Sequence, residues 1–213
     1  MRVELLCNES KYPDILRCIF EASEKRLDQI CTPSGMIPRI DEIFIREHCN
    51  FSALVDFPYG ISETRIRVHE ILLSAKRGVK DIDLVINRSD IESSNLNSIR
   101  KDFRTCFNAC KENGLTIRPI IEYRIADDEF LYELCESLKY NGATEIVIGT
   151  GSMVDDILDN IISSKLIEDK LNLRVVSCSP ILSQEHYDIF YDSNIHGIRL
   201  KSYKILDNLC TIW

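Results

Sequence analysis

Gly78-Val79-Lys80-Asp81-Ile82-Asp83-Leu84-Val85-Ile86-Asn87 is the stretch that decides the fold. Residues 82–86 form a short run of branched apolar side chains broken only by Asp83. Such a run does not alternate strictly between apolar and polar, so it reads as a strand covered on both faces, as in a parallel sheet. Similar runs lie on either side of it, at 2–6, 51–56, 116–122, 145–149, 173–177 and 196–200. Helical patterns separate them. Ile15, Leu16, Ile19 and Phe20 stand at helical spacing in 12–30. Ile66, Val68, Ile71 and Leu72 do the same in 62–77, after Ser62 as a candidate N-cap. Further helices are expected at 96–113, closed by Gly114, at 127–140, opened by Asp127 and Asp128, and at 152–163, 183–191 and 202–210. The segment 31–50, with two prolines and a glycine, reads as a loop holding one short strand or helix around 41–48.

Strand, loop and helix thus repeat every 25–35 residues or so, the pattern of βαβ units with right-handed crossovers. The chain has 213 residues. That is long for a five-stranded doubly wound sheet and short for an eight-fold barrel of about 250 residues. No linker or low-complexity tract interrupts it, so one domain over 1–213 is expected.

Composition narrows the function classes. Hydrophobic residues make up 45% and the net charge is −8, with a pI near 5.1. Disorder is excluded as the main state. The acidity argues against nucleic-acid and anionic-membrane partners. No apolar run reaches the roughly 18 residues of a membrane span. Nine cysteines are scattered without a CxxC. They read as small hydrophobes in a reducing cytoplasm, and no secretory leader opens the chain. No metal site or cofactor motif is found. GxSxG, HExxH and kinase signatures are absent, and the four histidines stand at no motif spacing.

The candidate chemistry comes from period-two placement on the strands. Asp83, Arg118, Glu122 and Glu145 fall on faces that would point into a barrel. They read either as a polar active-site floor or as a structural ion pair, because an unpaired buried charge is costly. Gly149-Thr150-Gly151-Ser152 joins a strand to a helical stretch. It reads as an anion-binding turn or as a tight turn with a serine cap. Arg199, Lys201 and Ser202 end the last strand, where they could bind phosphate or simply be solvated.

Several of these segments resemble the deoxyribose-phosphate aldolase family, class I aldolases built as (β/α)8 TIM barrels. Asp56-Phe57-Pro58-Tyr59-Gly60, then Glu63-Thr64 and a helix through Glu70, is similar to the family's FPxG…T…E stretch. Residues 78–87 resemble GADEIDMVIN, 117–122 resemble KVIIET, and 142–152 (GATEIVIGTGS) resemble GADFVKTSTG. The likeness covers roughly 51–152 in order, and 173–186 continue it less closely. It implies the barrel fold, carbon–carbon lyase ancestry, a small polar or phosphorylated ligand, and association into oligomers.

The departures are chemical. The family's Schiff-base lysine aligns with Val147, and a second family lysine aligns with Val176. The Gly-Gly of its phosphate site aligns with Ser179-Pro180, where proline has no N–H to donate. An iminium needs a lysine amine. The preferred expectation is therefore a cytoplasmic pseudoenzyme that binds a small ligand or a protein partner. A lyase with a relocated lysine, Lys201, and a structural oligomerisation module are the alternatives. Asp83, Glu122 and Lys201 are the candidate catalytic residues. Arg118, Thr150, Gly151, Ser152, Arg199 and Ser202 are the candidate ligand contacts. The family's DxT-type first strand is not found, so the barrel is expected to lack or remodel its first βα unit.

Overall fold

A computed structural model of the chain describes residues 1–8, 11–40 and 50–209. Eight parallel strands close into a barrel in chain order: β1 (Arg2–Leu6), β2 (Gln29–Pro33), β3 (Phe51–Val55), β4 (Asp81–Val85), β5 (Thr116–Ile121), β6 (Glu145–Ile148), β7 (Arg174–Ser177) and β8 (Gly197–Leu200). Pairing of Val3 with Ile198 and of Glu4 with Arg199 joins the first strand to the last. The helices between the strands are α1 (Tyr12–Glu24), α2 (Thr64–Lys76), the short α3 (Arg88–Glu92), α4 (Leu96–Glu112), α5 (Asp128–Tyr140), α6 (Ile157–Leu171) and α7 (Gln184–Asp192). Three 3-10 segments join them, Ser34–Ile40, Tyr123–Ile125 and Tyr203–Asn208. None of the described helices is long and apolar enough to cross a membrane.

No barrel strand is missing. The first fifty residues supply both β1 and β2, and β2 is the strand that the periodicity conceals. It begins inside the stretch expected to be one helix over 12–30. Helix α1 ends earlier, at Glu24, because Lys25 caps it and Arg26 turns left-handed at φ +49°. Glycine is the usual residue at such a turn, so its absence hides the helix end. Five residues after Glu24, Gln29 enters the sheet beside Glu4. Other boundaries move as well, and the expected helix at 152–163 runs on to Leu171. Ser62 does not cap α2, since Glu63 holds that position. The expected helix at 152–163 begins at Ile157, with Asp156 accepting hydrogen bonds from the N–H groups of Leu158 and Asp159. The expected element around 41–48 lies outside the described residues, as does the end of 202–210.

Alternate residues of each strand face outward against helices. Val55, Ile82, Leu84, Ile121, Ile146 and Val175 pack against Ile71, Phe103, Leu134 and Ile167. Val3, Leu5, Ile30, Ile198 and Leu200 pack against Ile15, Ile19 and Phe190. Each such full burial contributes about 1.5–3 kcal/mol. The other alternate residues face inward, and there the barrel is layered by polarity.

Candidate functional site

The lower interior layer is ionic. Glu4 on β1, Asp83 on β4, Arg118 on β5, Glu145 on β6 and Arg199 on β8 are all at least 95% buried. The Nε of Arg118 lies 2.8 Å from Asp83 Oδ1, and its Nη1 lies 2.8 Å from Glu145 Oε1 and 2.5 Å from Glu4 Oε1. The Nη2 of Arg199 bridges Glu4 Oε2 and Asp83 Oδ2, at 2.7 Å each. Arg2 Nε adds a contact of 2.7 Å to Glu4. Arg174 Nε reaches Glu145 Oε2 at 3.4 Å from the edge, so the three carboxylates are surrounded by guanidinium groups, and removing one buried member would leave an uncompensated charge.

This layer also sets acidities. Burial alone would raise the Glu4 carboxyl, but Arg199 and Arg118 outweigh it and hold it well below the usual carboxylate range. Burial likewise opposes ionisation of Glu145, while His196, Arg118 and Arg2 bring it down to about 2.

Two residues further toward the C-terminal ends of the strands, the interior turns apolar. Leu6, Cys31, Leu54, Val85, Ile120, Val147, Val176 and Cys178 form one buried cluster, with Phe57 packed on it. Val147 and Val176 pair with each other across β6 and β7, at the two positions where the family resemblance expects lysines. The cluster separates Asp83, Arg118 and Arg199 from the barrel mouth. The structure therefore brings these three candidates together with one another, and apart from the rest.

The mouth holds the other candidates. Glu122, just past β5, is 4% exposed. Its Oε2 accepts from Thr150 Oγ1 at 2.5 Å and from Thr150 N–H at 3.2 Å. Ser152 completes the group, its Oγ 2.6 Å from Thr150 Oγ1 and its N–H donating to that oxygen at 3.1 Å. The turn's amide at Thr150 is thus already committed to a carboxylate. Residues 153–156 separate the turn from the start of α6, so it does not sit on a helix N-terminus.

Gly151, at φ +75°, adopts a conformation that L side chains rarely take, and its surroundings are tight. A Cβ there would come within 3.1 Å of Lys201 Cε and 3.2 Å of Cys178 Sγ. The stem of Lys201 therefore lies across the mouth against Gly151 and Cys178. Its amine makes no ion pair among the described residues. Burial pushes the Cys178 thiol up to about 11, which leaves it a neutral wall rather than a nucleophile.

Beside Lys201 opens a cavity of about 300 Å³, lined in part by Ile181, Leu182, Lys201, Ser202, Lys204 and Ile205. Its charged lining residues are both lysines. Ser202 also caps the 3-10 segment, accepting from Lys204 N–H at 3.3 Å. Sequence reasoning did not single out Glu4, Cys178 or Lys204. Glu4 was detectable as a lone charge inside the apolar run of β1; the other two gain meaning only from what the loops bring beside them.

The stretch from Asp56 to Glu70 is held by its own network. Glu70 accepts from Asp56 N–H at 3.1 Å and from Ser34 Oγ at 2.6 Å. Thr64 Oγ1 donates to Asp102 at 2.6 Å. Arg67, 1% exposed, donates to Asp102 and to the Val85 carbonyl. These residues fix the β3–α2 loop against β4, beside the mouth.

No family model matches the chain. Among curated proteins it is 28% identical over 147 residues to deoxyribose-phosphate aldolase of Desulfitobacterium hafniense, covering 69% of this chain and 67% of that relative. It is 27% identical over 175 residues to the deoxyribose-phosphate aldolase of Mannheimia succiniciproducens, covering 79% and 75%. The first of these matches spans about two thirds of the relative's length, and several similar matches to streptococcal enzymes of that name span slightly less. Among solved structures, the tetrameric deoxyribose phosphate aldolase from Aeropyrum pernix superposes with a TM-score of 0.83 at 16% identity, covering 97% of this chain and 89% of that one. An aldolase named QR15 gives 0.80 at 15% identity, covering 94% and 90%. The chain thus resembles deoxyribose-phosphate aldolases in sequence over two thirds or more of its length and shares their eight-stranded barrel.

Proposed function

We propose that this chain is a cytoplasmic aldolase-type barrel that binds a small phosphorylated or otherwise anionic ligand at its mouth without imine-forming chemistry at the family's lysine position. The observation that carries this reading is the apolar layer. Val147 and Val176 present hydrocarbon where a lysine amine would be needed, and they belong to one buried cluster with Ile120 and Cys178. A valine cannot condense with a carbonyl. Asp83 lies below that layer with both oxygens on arginines, so it serves as a structural anion rather than a proton carrier.

What remains at the mouth suits binding. Lys201 and Lys204 supply positive charge, the hydroxyl of Ser202 and the amide of Asn208 supply hydrogen bonds, and Ile181, Leu182 and Ile205 supply an apolar wall. Glu122 positions the Thr150 turn. Inorganic phosphate and a pentose phosphate are the probes. Either should raise the melting temperature in a concentration-dependent way, and Lys201→Ala should abolish the shift. A shift that persists in the variant, or none at millimolar probe, counts against the reading.

One observation favours a second reading, an active lyase that uses Lys201. Its amine has no carboxylate partner among the described residues, and its stem is held in the mouth. In that reaction the Lys201 Nζ would add to an aldehyde carbonyl, water would leave, and the iminium would accept the electron pair of the breaking carbon–carbon bond. Glu122 is a buried carboxylate at the mouth that would handle the accompanying proton. Borohydride reduction with a short aldehyde, followed by peptide mass spectrometry, separates the readings. A stable adduct on Lys201 establishes the second, and its absence supports the first.

A further inference from the structure

The cavity beside Lys201 is built from two segments of unlike character. The end of β8 and the 3-10 segment after it bring Lys201, Ser202, Lys204 and Asn208, while the loop between β7 and α7 brings Pro180, Ile181 and Leu182. One side is cationic and the other is hydrocarbon. The core does not need all of that hydrocarbon, since Leu182 is left 69% exposed. Its backbone is nevertheless fixed. Leu182 N–H donates to His186 Nδ1 at 3.2 Å, and His186 N–H donates to Ser183 Oγ at 3.2 Å at the start of α7.

The backbone around the cavity has little left to offer a ligand. Ile181 N–H donates to the Ser179 carbonyl at 2.9 Å, and Leu182 N–H is held by His186. Lys204 N–H donates to Ser202 Oγ at 3.3 Å, and Ile205 N–H to the Ser202 carbonyl at 3.4 Å. Pro180 has no N–H to give. Donors for a ligand therefore come from side chains, and the two ammonium groups among them suit an anionic head. A polyhydroxylated chain laid against Pro180, Ile181 and Leu182 would surrender water at each hydroxyl and meet carbon in return, which is unfavourable. A hydrocarbon chain gains there instead. Each methylene moved out of water raises affinity by a factor of about four.

We propose that this cavity selects an anion joined to a short hydrocarbon tail over a sugar phosphate, with the head on Lys201 and Lys204 and the tail against Pro180, Ile181 and Leu182. The proposal rests on the mouth being an anion site, as set out above, and adds the character of the rest of the ligand. The cavity, at about 300 Å³, has the size of a small-ligand pocket.

Titration calorimetry of the full chain with butyl phosphate, ribose 5-phosphate and inorganic phosphate tests this, because the first two share a phosphate monoester head and differ in the tail. Butyl phosphate should bind roughly tenfold or more tighter than ribose 5-phosphate. Leu182→Ser should cut that preference several-fold. It should leave the affinity for inorganic phosphate and the melting temperature of the free protein unchanged, because the side chain is exposed. Should that variant misfold, Leu182→Gln serves in its place. Equal affinities, a tighter pentose phosphate, or a preference that Leu182→Ser leaves intact overturns the proposal while the anion site stands. Failure of all three probes to bind overturns the proposal and the anion site together.

Discussion

Asp83 shows how far a single residue is decided by its surroundings. Its position on β4 gives it an inward direction, and the two guanidinium groups of Arg118 and Arg199 give it its role. Removing it would leave both cations buried with one fewer counter-charge. Asp83→Ala is therefore expected to destabilise the protein by about 3–5 kcal/mol, measured by urea unfolding. A loss below about 1 kcal/mol would mean that the network is solvated. The pairing of Asp83 with Arg118 was legible from period two alone. The participation of Glu4 and Arg199 was not, because those residues lie 195 positions apart in the chain and meet only through the closure of β1 on β8.

At the scale of elements, the strands and the longer helices of residues 51–200 were legible because apolar runs and amphipathic stretches alternate, although the short helix Arg88–Glu92 and the true span Ile157–Leu171 were not. The connection from α1 to β2 was not, since an arginine occupies the left-handed turn where glycine would announce the helix end. That conformation costs an L-residue about 1–2 kcal/mol, and glycine avoids the cost while gaining disorder in the unfolded chain. Arg26→Gly is thus expected to stabilise the protein by about 0.5–1 kcal/mol, read as a rise in the urea midpoint at unchanged m-value. A destabilisation would show that the arginine side chain contributes more than its backbone costs.

For the whole molecule, the ionic layer ties folding to pH. The Glu145 carboxyl falls from its ordinary 4.5 to about 2 on folding, and Glu4 moves the same way. A carboxylate with a depressed folded-state acidity contributes stability that is fully present above its unfolded value and is lost as pH falls through the folded one. Stability should therefore be flat above pH 4.5 with respect to these groups and decline between 4.5 and about 2. Equilibrium unfolding at stepped pH checks this. Glu145→Gln should flatten the decline, and an unchanged slope would place the acid sensitivity elsewhere.

The sequence by itself determined the alternation of strand and helix, the inward period of Asp83, Arg118, Glu122 and Glu145, and the hydrocarbon at Val147 and Val176. Each of these is a local property, set by side-chain chemistry and the two-residue repeat of a strand. Only the tertiary structure decided that eight strands close, that a layer of apolar side chains divides the ionic interior from the mouth, and that Lys201 lies beside Gly151 and Cys178. Those facts depend on the register between strands distant in sequence, which fixes the depth of each side chain along the barrel axis. Depth separates a buried structural charge from one that meets a ligand.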